Sequence, residues 1–90
     1  MWNPNELKMK VIIIDTDGSV YEREIPSDRN IVTFANDIIG WVEPIFLGDK
    51  VMLIDEEGLI KKLDVNSEAS KRAGRRIVGR VIICDEKDME

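Results

Sequence analysis

Apolar residues along this chain fall in short blocks, and turn chemistry separates one block from the next. Lys10-Val11-Ile12-Ile13-Ile14-Asp15 is a β-branched run with no polar face, as in a strand covered on both sides. Thr16-Asp17-Gly18-Ser19 holds the Asp-Gly pair that favours a tight hairpin. Val20-Tyr21-Glu22-Arg23-Glu24-Ile25 alternates, as a strand with one wet face does, and Pro26 ends it. Ile31, Phe34, Ala35, Ile38 and Ile39 recur at helical spacing, with Ser27 or Asp28 as the candidate cap and Gly40 at the close.

The second half repeats the grammar. Trp41–Leu47 reads as a strand, with Trp41 expected in the core. Pro44 cannot donate to a ladder, so it marks an edge or a bulge. Lys50–Asp55 and Leu59–Leu63 read as two more strands, joined by a Glu56-Glu57-Gly58 turn. A helix is expected from about Ser67 to Ala73, capped by Asn66 or Ser67 and closed by Gly74. Arg76–Cys84 reads as the last strand. The expected order is ββαβββαβ: an α+β fold, with a largely antiparallel sheet of about six short strands and two short helices. Most connections are too short for parallel crossovers. Residues 1–8 read as a flexible leader, 9–85 as one domain and 86–90 as a fraying acidic tail.

Charge changes the picture more than composition does. Ninety residues make one domain, and a 43% apolar fraction is ordinary. The net charge of −5 is unevenly spread. Residues 61–80 carry seven cations (Lys61, Lys62, Lys71, Arg72, Arg75, Arg76, Arg80) against Asp64 and Glu68, a local +5. Residues 1–60 carry five cations against twelve acids, a local −7. Segregation of this kind gives one surface a preference for anions.

The stretch 39–85 resembles a family of small domains of unknown function, DUF3846, frequent in bacteriophages and mobile elements. Gly40-Trp41-Val42-Glu43, Glu56-Glu57-Gly58, Asn66-Ser67-Glu68-Ala69 and Ile77-Val78-Gly79 carry the likeness, and the front strand, 10–15, is also similar. Family members often have Pro shortly before the Asn, where this chain has Asp64-Val65. The resemblance implies no activity. It implies an accessory protein of a phage or plasmid, acting in the host cytoplasm.

Candidate chemistry is sparse. The chain has no His, so no Cys–His dyad can form, and it lacks P-loop, Gly-x-Ser-x-Gly and Gly-x-Gly-x-x-Gly motifs. No catalytic residue, cofactor or metal is assigned. Asp15 with Asp17, or Asp55-Glu56-Glu57, could hold a hard cation, but paired acids in turns commonly serve solvation. Cys84, the one cysteine, sits in the apolar run Val81–Cys84 and suits a buried place in a reducing cytosol. No apolar run approaches 18 residues and no signal-peptide pattern opens the chain, so a cytoplasmic protein is expected.

The basic segment offers a site. Asn66 and Ser67 at a helix start, with Lys71, Arg72, Arg75 and Arg76 close behind, are the candidate ligand-binding residues. Arg grips phosphate through paired N–H donors. The plain alternative is a solvated helix whose terminal cations complement its dipole. Three functions follow: sequestration of a small phosphorylated ligand such as a nucleotide signal, inhibition of a host protein by acidic contact or nucleic-acid mimicry, or an assembly role. Long nucleic acid fits poorly with the net charge. A homo-oligomer is expected, because a chain this short has three apolar strand runs to cover.

Overall fold

The computed structural model describes residues 8–26 and 30–89. Five strands form one sheet: β1 (Lys8–Ile14), β2 (Val20–Pro26), β3 (Val42–Leu47), β4 (Lys50–Asp55) and β5 (Val81–Asp85). Two helices, α1 (Ile31–Ile38) and α2 (Ser67–Ala73), complete the α+β fold. The spatial order is β2-β1-β5-β4-β3. Every neighbouring pair is antiparallel. The last strand to form in sequence thus enters between two hairpins and joins them.

That topology explains the unbroken apolar runs. β1, β5 and β4 are interior strands, covered on both faces. On one face Val11, Ile13, Val51, Leu53, Ile82 and Cys84 pack with Ile31, Phe34 and Ala35 of α1. On the other, Ile14, Met52, Ile54, Val81 and Ile83 pack with Ala69 and Ile77 around α2. Alternate residues of one strand therefore serve opposite layers. Each such Ile or Leu, buried from water, contributes about 1.5–3 kcal/mol. Cys84 is buried here as expected, and its desolvated thiol is pushed up to about 11.

The hairpins follow their turn residues. Gly18 adopts φ +93°, and the Asp17 carboxylate accepts the Ser19 N–H at 2.9 Å. Pro44 lies on β3, an edge strand, where its missing donor breaks no ladder bond that a neighbour needs. The Asn30 side chain caps α1 by accepting from Val32 N–H at 2.8 Å. The proposed caps Ser27 and Asp28 lie outside the described residues, as does the leader up to residue 7; Lys8 already begins β1.

Four expectations need correction. Leu59–Leu63 is not a strand, so the sheet has five strands rather than six. Residues 56–62 instead make one helical turn: Lys61 N–H reaches Glu57 O at 2.9 Å. It closes as a Schellman motif, with Leu63 N–H on Gly58 O and Lys62 N–H on Leu59 O. Lys62 occupies the left-handed position at φ +57°. The last strand begins at Val81, not Arg76; Val78 makes only an isolated bridge to Val65. Glu86–Met89, expected as an irregular tail, forms a short 3-10 helix, with Met89 against the α1-side core. Trp41 is not in the core: it is 69% exposed.

The strand runs that motivated an oligomer are covered within one chain. The most exposed large apolar side chains among the described residues lie elsewhere: Trp41, Phe46 at 61%, Leu59 at 77% and Ile60 at 80%. No helix among the described residues is long and apolar enough to cross a membrane.

Candidate functional site

The six candidate residues divide at the first of them. Asn66 caps α2 in extended conformation, and its carbonyl oxygen accepts the Ala69 N–H at 3.1 Å. Its amide donates to Ile14 O at 3.0 Å and Gly79 O at 2.9 Å, and its backbone N–H donates to Ile77 O at 2.8 Å. It is 0% exposed. The side chain ties β1, the start of α2 and the approach to β5 together, and both amide hydrogens are spent. It therefore offers nothing to a ligand. Of the two candidate caps, Asn66 or Ser67, the structure uses Asn66, and residue type alone does not disclose that it is sealed.

A second polar residue reinforces this knot. Ser70 Oγ accepts the Ile77 N–H at 2.8 Å and donates to Ile77 O at 3.2 Å, bolting α2 to the following chain. Gly79 N–H donates to Asp64 O at 2.8 Å. Gly79 itself sits at φ +80°, where a Cβ would come within 2.7 Å of Leu63 Cδ1.

The other five candidates lie on the surface. Ser67, Lys71, Arg72, Arg75 and Arg76 are exposed. Gly74, left-handed at φ 68°, ends α2, so the Arg72–Arg76 and Lys71–Arg75 rows of a longer helix do not form. Arg72 Nε instead donates to Glu68 at 2.9 Å, one turn back, which holds the Glu68 carboxyl below its usual range. Lys71, Arg75 and Arg76 form no ion pair among the described residues. The result is an open basic ridge around the C-terminal end of α2.

Two of the three remaining cations of the basic segment behave differently, while Lys62 is exposed and forms no ion pair among the described residues. Arg80 Nε donates to Asp15 at 2.6 Å, and Lys61 Nζ to the buried Asp55 at 2.9 Å. Both line a cleft of about 440 Å³ at one end of the sheet, with Asp15, Asp55 and Asp64. Ile38, Ile39 and Leu63 supply its apolar wall. Three carboxylates against two cations leave it slightly acidic, and none of the six candidates lines it. Sequence reasoning missed this cleft. The only signal was an Asp directly after each of two apolar strand runs, Ile14-Asp15 and Ile54-Asp55. Among the described residues no group of three or more His, Cys, Asp or Glu is placed to hold a metal.

Fold and ridge together define a small α+β domain, built on a five-stranded antiparallel sheet, that carries an exposed cationic segment at the end of its second helix. The model of the family described as a domain of unknown function (DUF3846) matches residues 9–90, and the chain belongs to that family. No curated protein and no solved structure matches it.

Proposed function

We propose that the chain is a non-enzymatic binding protein that engages phosphate-bearing ligands through Lys71, Arg75 and Arg76. One observation carries the reading. These three cations lie within six residues, are exposed, and have no acidic counter-charge within salt-bridge distance among the described residues, whereas Lys50, Lys61, Arg72 and Arg80 each have one. Unpaired guanidinium groups keep all their donors for a phosphate. Ser67, exposed at the start of the same helix, can add a hydroxyl contact. The ridge is open, so it suits phosphates presented on one side of a compact ligand, such as a nucleotide. The role this serves is sequestration of a nucleotide-type signal. A counter-defence setting in a phage or mobile element is part of the same proposal.

Titration calorimetry with a panel of linear and cyclic nucleotides tests it. Binding of at least one member, weakened tenfold or more by replacing Arg75 and Arg76 together with Ala, is the expected result. If no member binds, the ridge is a solvated face. The reading that then takes its place is contact with a host protein, favoured by the exposed Trp41, Phe46, Leu59 and Ile60.

A further inference from the structure

Three of the most exposed large apolar residues lie on adjoining backbone at one end of the sheet. Leu59 and Ile60 sit on the turn 56–62. Trp41 lies beside that turn, because its carbonyl accepts the Glu56 N–H at 2.9 Å. Large apolar side chains this exposed, carried on adjoining stretches of backbone, mark an interaction surface rather than ordinary scatter.

The turn is held in a way that keeps them displayed. The buried Asp55 carboxylate accepts the Glu57 N–H at 2.8 Å and Lys61 Nζ at 2.9 Å. Gly58 N–H returns to Asp55 O at 3.2 Å, and a Cβ at Gly58 would lie 2.8 Å from Val78 Cγ2. The turn is thus seated against the chain that follows α2. Its closing position is left-handed, where glycine is usual, yet it holds Lys62. The backbone tolerates that residue and so retains its charge at the end of the turn.

We propose that this turn, with Trp41, is the contact surface for a second copy of the same chain, across a two-fold axis. The argument is charge complementarity. The order Glu56-Glu57-Gly58-Leu59-Ile60-Lys61-Lys62 places acids before an apolar pair and bases after it. A two-fold axis through the apolar pair reverses this order in the partner. The apolar pair then meets the same pair of the partner, and the acidic end of each turn faces the basic end of the other. Self-complementarity of this kind is what an isologous interface requires. Lys61 is already committed to Asp55, so the charges free to pair across the axis are Glu56 and Lys62, both exposed. Trp41 supplies the aromatic anchor such contacts favour. Pairing through the edge of β3 is a poorer route, since Pro44 interrupts its donors. Three side chains per copy cover less than the roughly 800 Å² per partner of a standard interface, so the dimer is weak and concentration-dependent.

Sedimentation velocity on the full chain, from low micromolar to near-millimolar concentration, tests this. The mass should rise above the 10.3 kDa of the single chain as concentration increases. Ile60→Asp should abolish the rise. Glu56→Lys alone and Lys62→Glu alone should each weaken association at least tenfold, because each sets like charges face to face. Mixed in equal amounts the two should associate again, since one variant is basic at both positions and the other acidic at both. Melting curves of each variant confirm that it is folded, and Leu59→Ala with Ile60→Ala serves where a charge variant is not. A parent chain that stays at 10.3 kDa at the highest concentration overturns the proposal. So does a mixture that fails to recover association while both variants are folded, or folded variants that associate as well as the parent.

Discussion

The two ends of α2, a helix of seven residues, do opposite things with polar side chains. At the start, Asn66 is sealed, with one acceptor and two donors all spent on backbone groups. At the end, Lys71, Arg75 and Arg76 stand in solvent with no ion-pair partner among the described residues. Both ends looked like parts of one anion site. The difference teaches that a polar residue beside a cationic run has a role only once its hydrogen-bonding capacity is counted. Asn66 has none left and belongs to the fold. Lys71, Arg75 and Arg76 keep theirs, whereas Arg72 beside them spends its Nε on Glu68.

The largest effect should come from breaking the sealed end. Asn66→Ala leaves Ile14 O, Gly79 O and the Ala69 N–H without their partner in a dry site. Each unsatisfied group costs about 1–3 kcal/mol, so a loss of about 3 kcal/mol or more is expected, a large share of a small domain's stability. Urea unfolding measures it. A variant that unfolds at the parent's midpoint would show that the knot does not hold the fold.

Gly79→Ala attacks the same knot from the acceptor side. A left-handed L-residue costs about 1–2 kcal/mol, and Leu63 Cδ1 must also move away from the new Cβ, for a total of about 2 kcal/mol. The same titration reads it. A loss below that of the backbone alone would mean the Leu63 contact is slack.

Parts of this comparison were legible in the sequence, for physical reasons. Gly18, Asn66 and Gly74 act locally, so hairpin and helix ends could be read from residue type alone. β1, β4 and β5 showed their double burial as unbroken apolar runs. Asn66 could not be seen as sealed, because its acceptors come from residues 52 and 13 positions away. Leu59–Leu63 imitated a strand through its apolar pair. What makes it a turn is Asp55 capping and a left-handed Lys62, and side-chain type does not disclose either. Trp41 followed a helix-ending glycine as a core residue would, yet it leads into an edge strand. Arg72 pairs at helical spacing and could have been separated from its neighbours, whereas the Arg80–Asp15 pair spans 65 positions and could not.

At the open end the expected change is in binding, not stability. Arg75→Ala with Arg76→Ala should weaken nucleotide binding at least tenfold, about 1.4 kcal/mol, while the melting temperature stays put. Calorimetry and a thermal melt, run on one sample, separate the two. A large fall in melting temperature would place these arginines with Asn66, as part of the fold.

The smallest effect sharpens the boundary within the ridge itself. Arg72 lies beside Arg75 and Arg76 in sequence, but its Nε is bound to Glu68. Arg72→Ala should therefore change nucleotide affinity by about twofold or less, because an exposed cation already neutralised by its neighbour adds little to a ligand's field. Its signature should instead appear on Glu68. The Arg72 hydrogen bond, helped by the charge of Arg72 and of Lys71, holds that carboxyl below its usual range. A folded-state value depressed in this way means the pair's contribution is present above the ordinary carboxylate pKa and is lost as pH falls through the depressed one. In Arg72→Ala the Glu68 midpoint, followed by carboxyl-carbon NMR, should move up toward its ordinary value, and the acid limb of the stability curve should barely change. If Arg72→Ala costs as much affinity as Arg75→Ala, then the Glu68 pair opens to admit ligand, and the ridge begins one helical turn earlier than the ion pairs indicate.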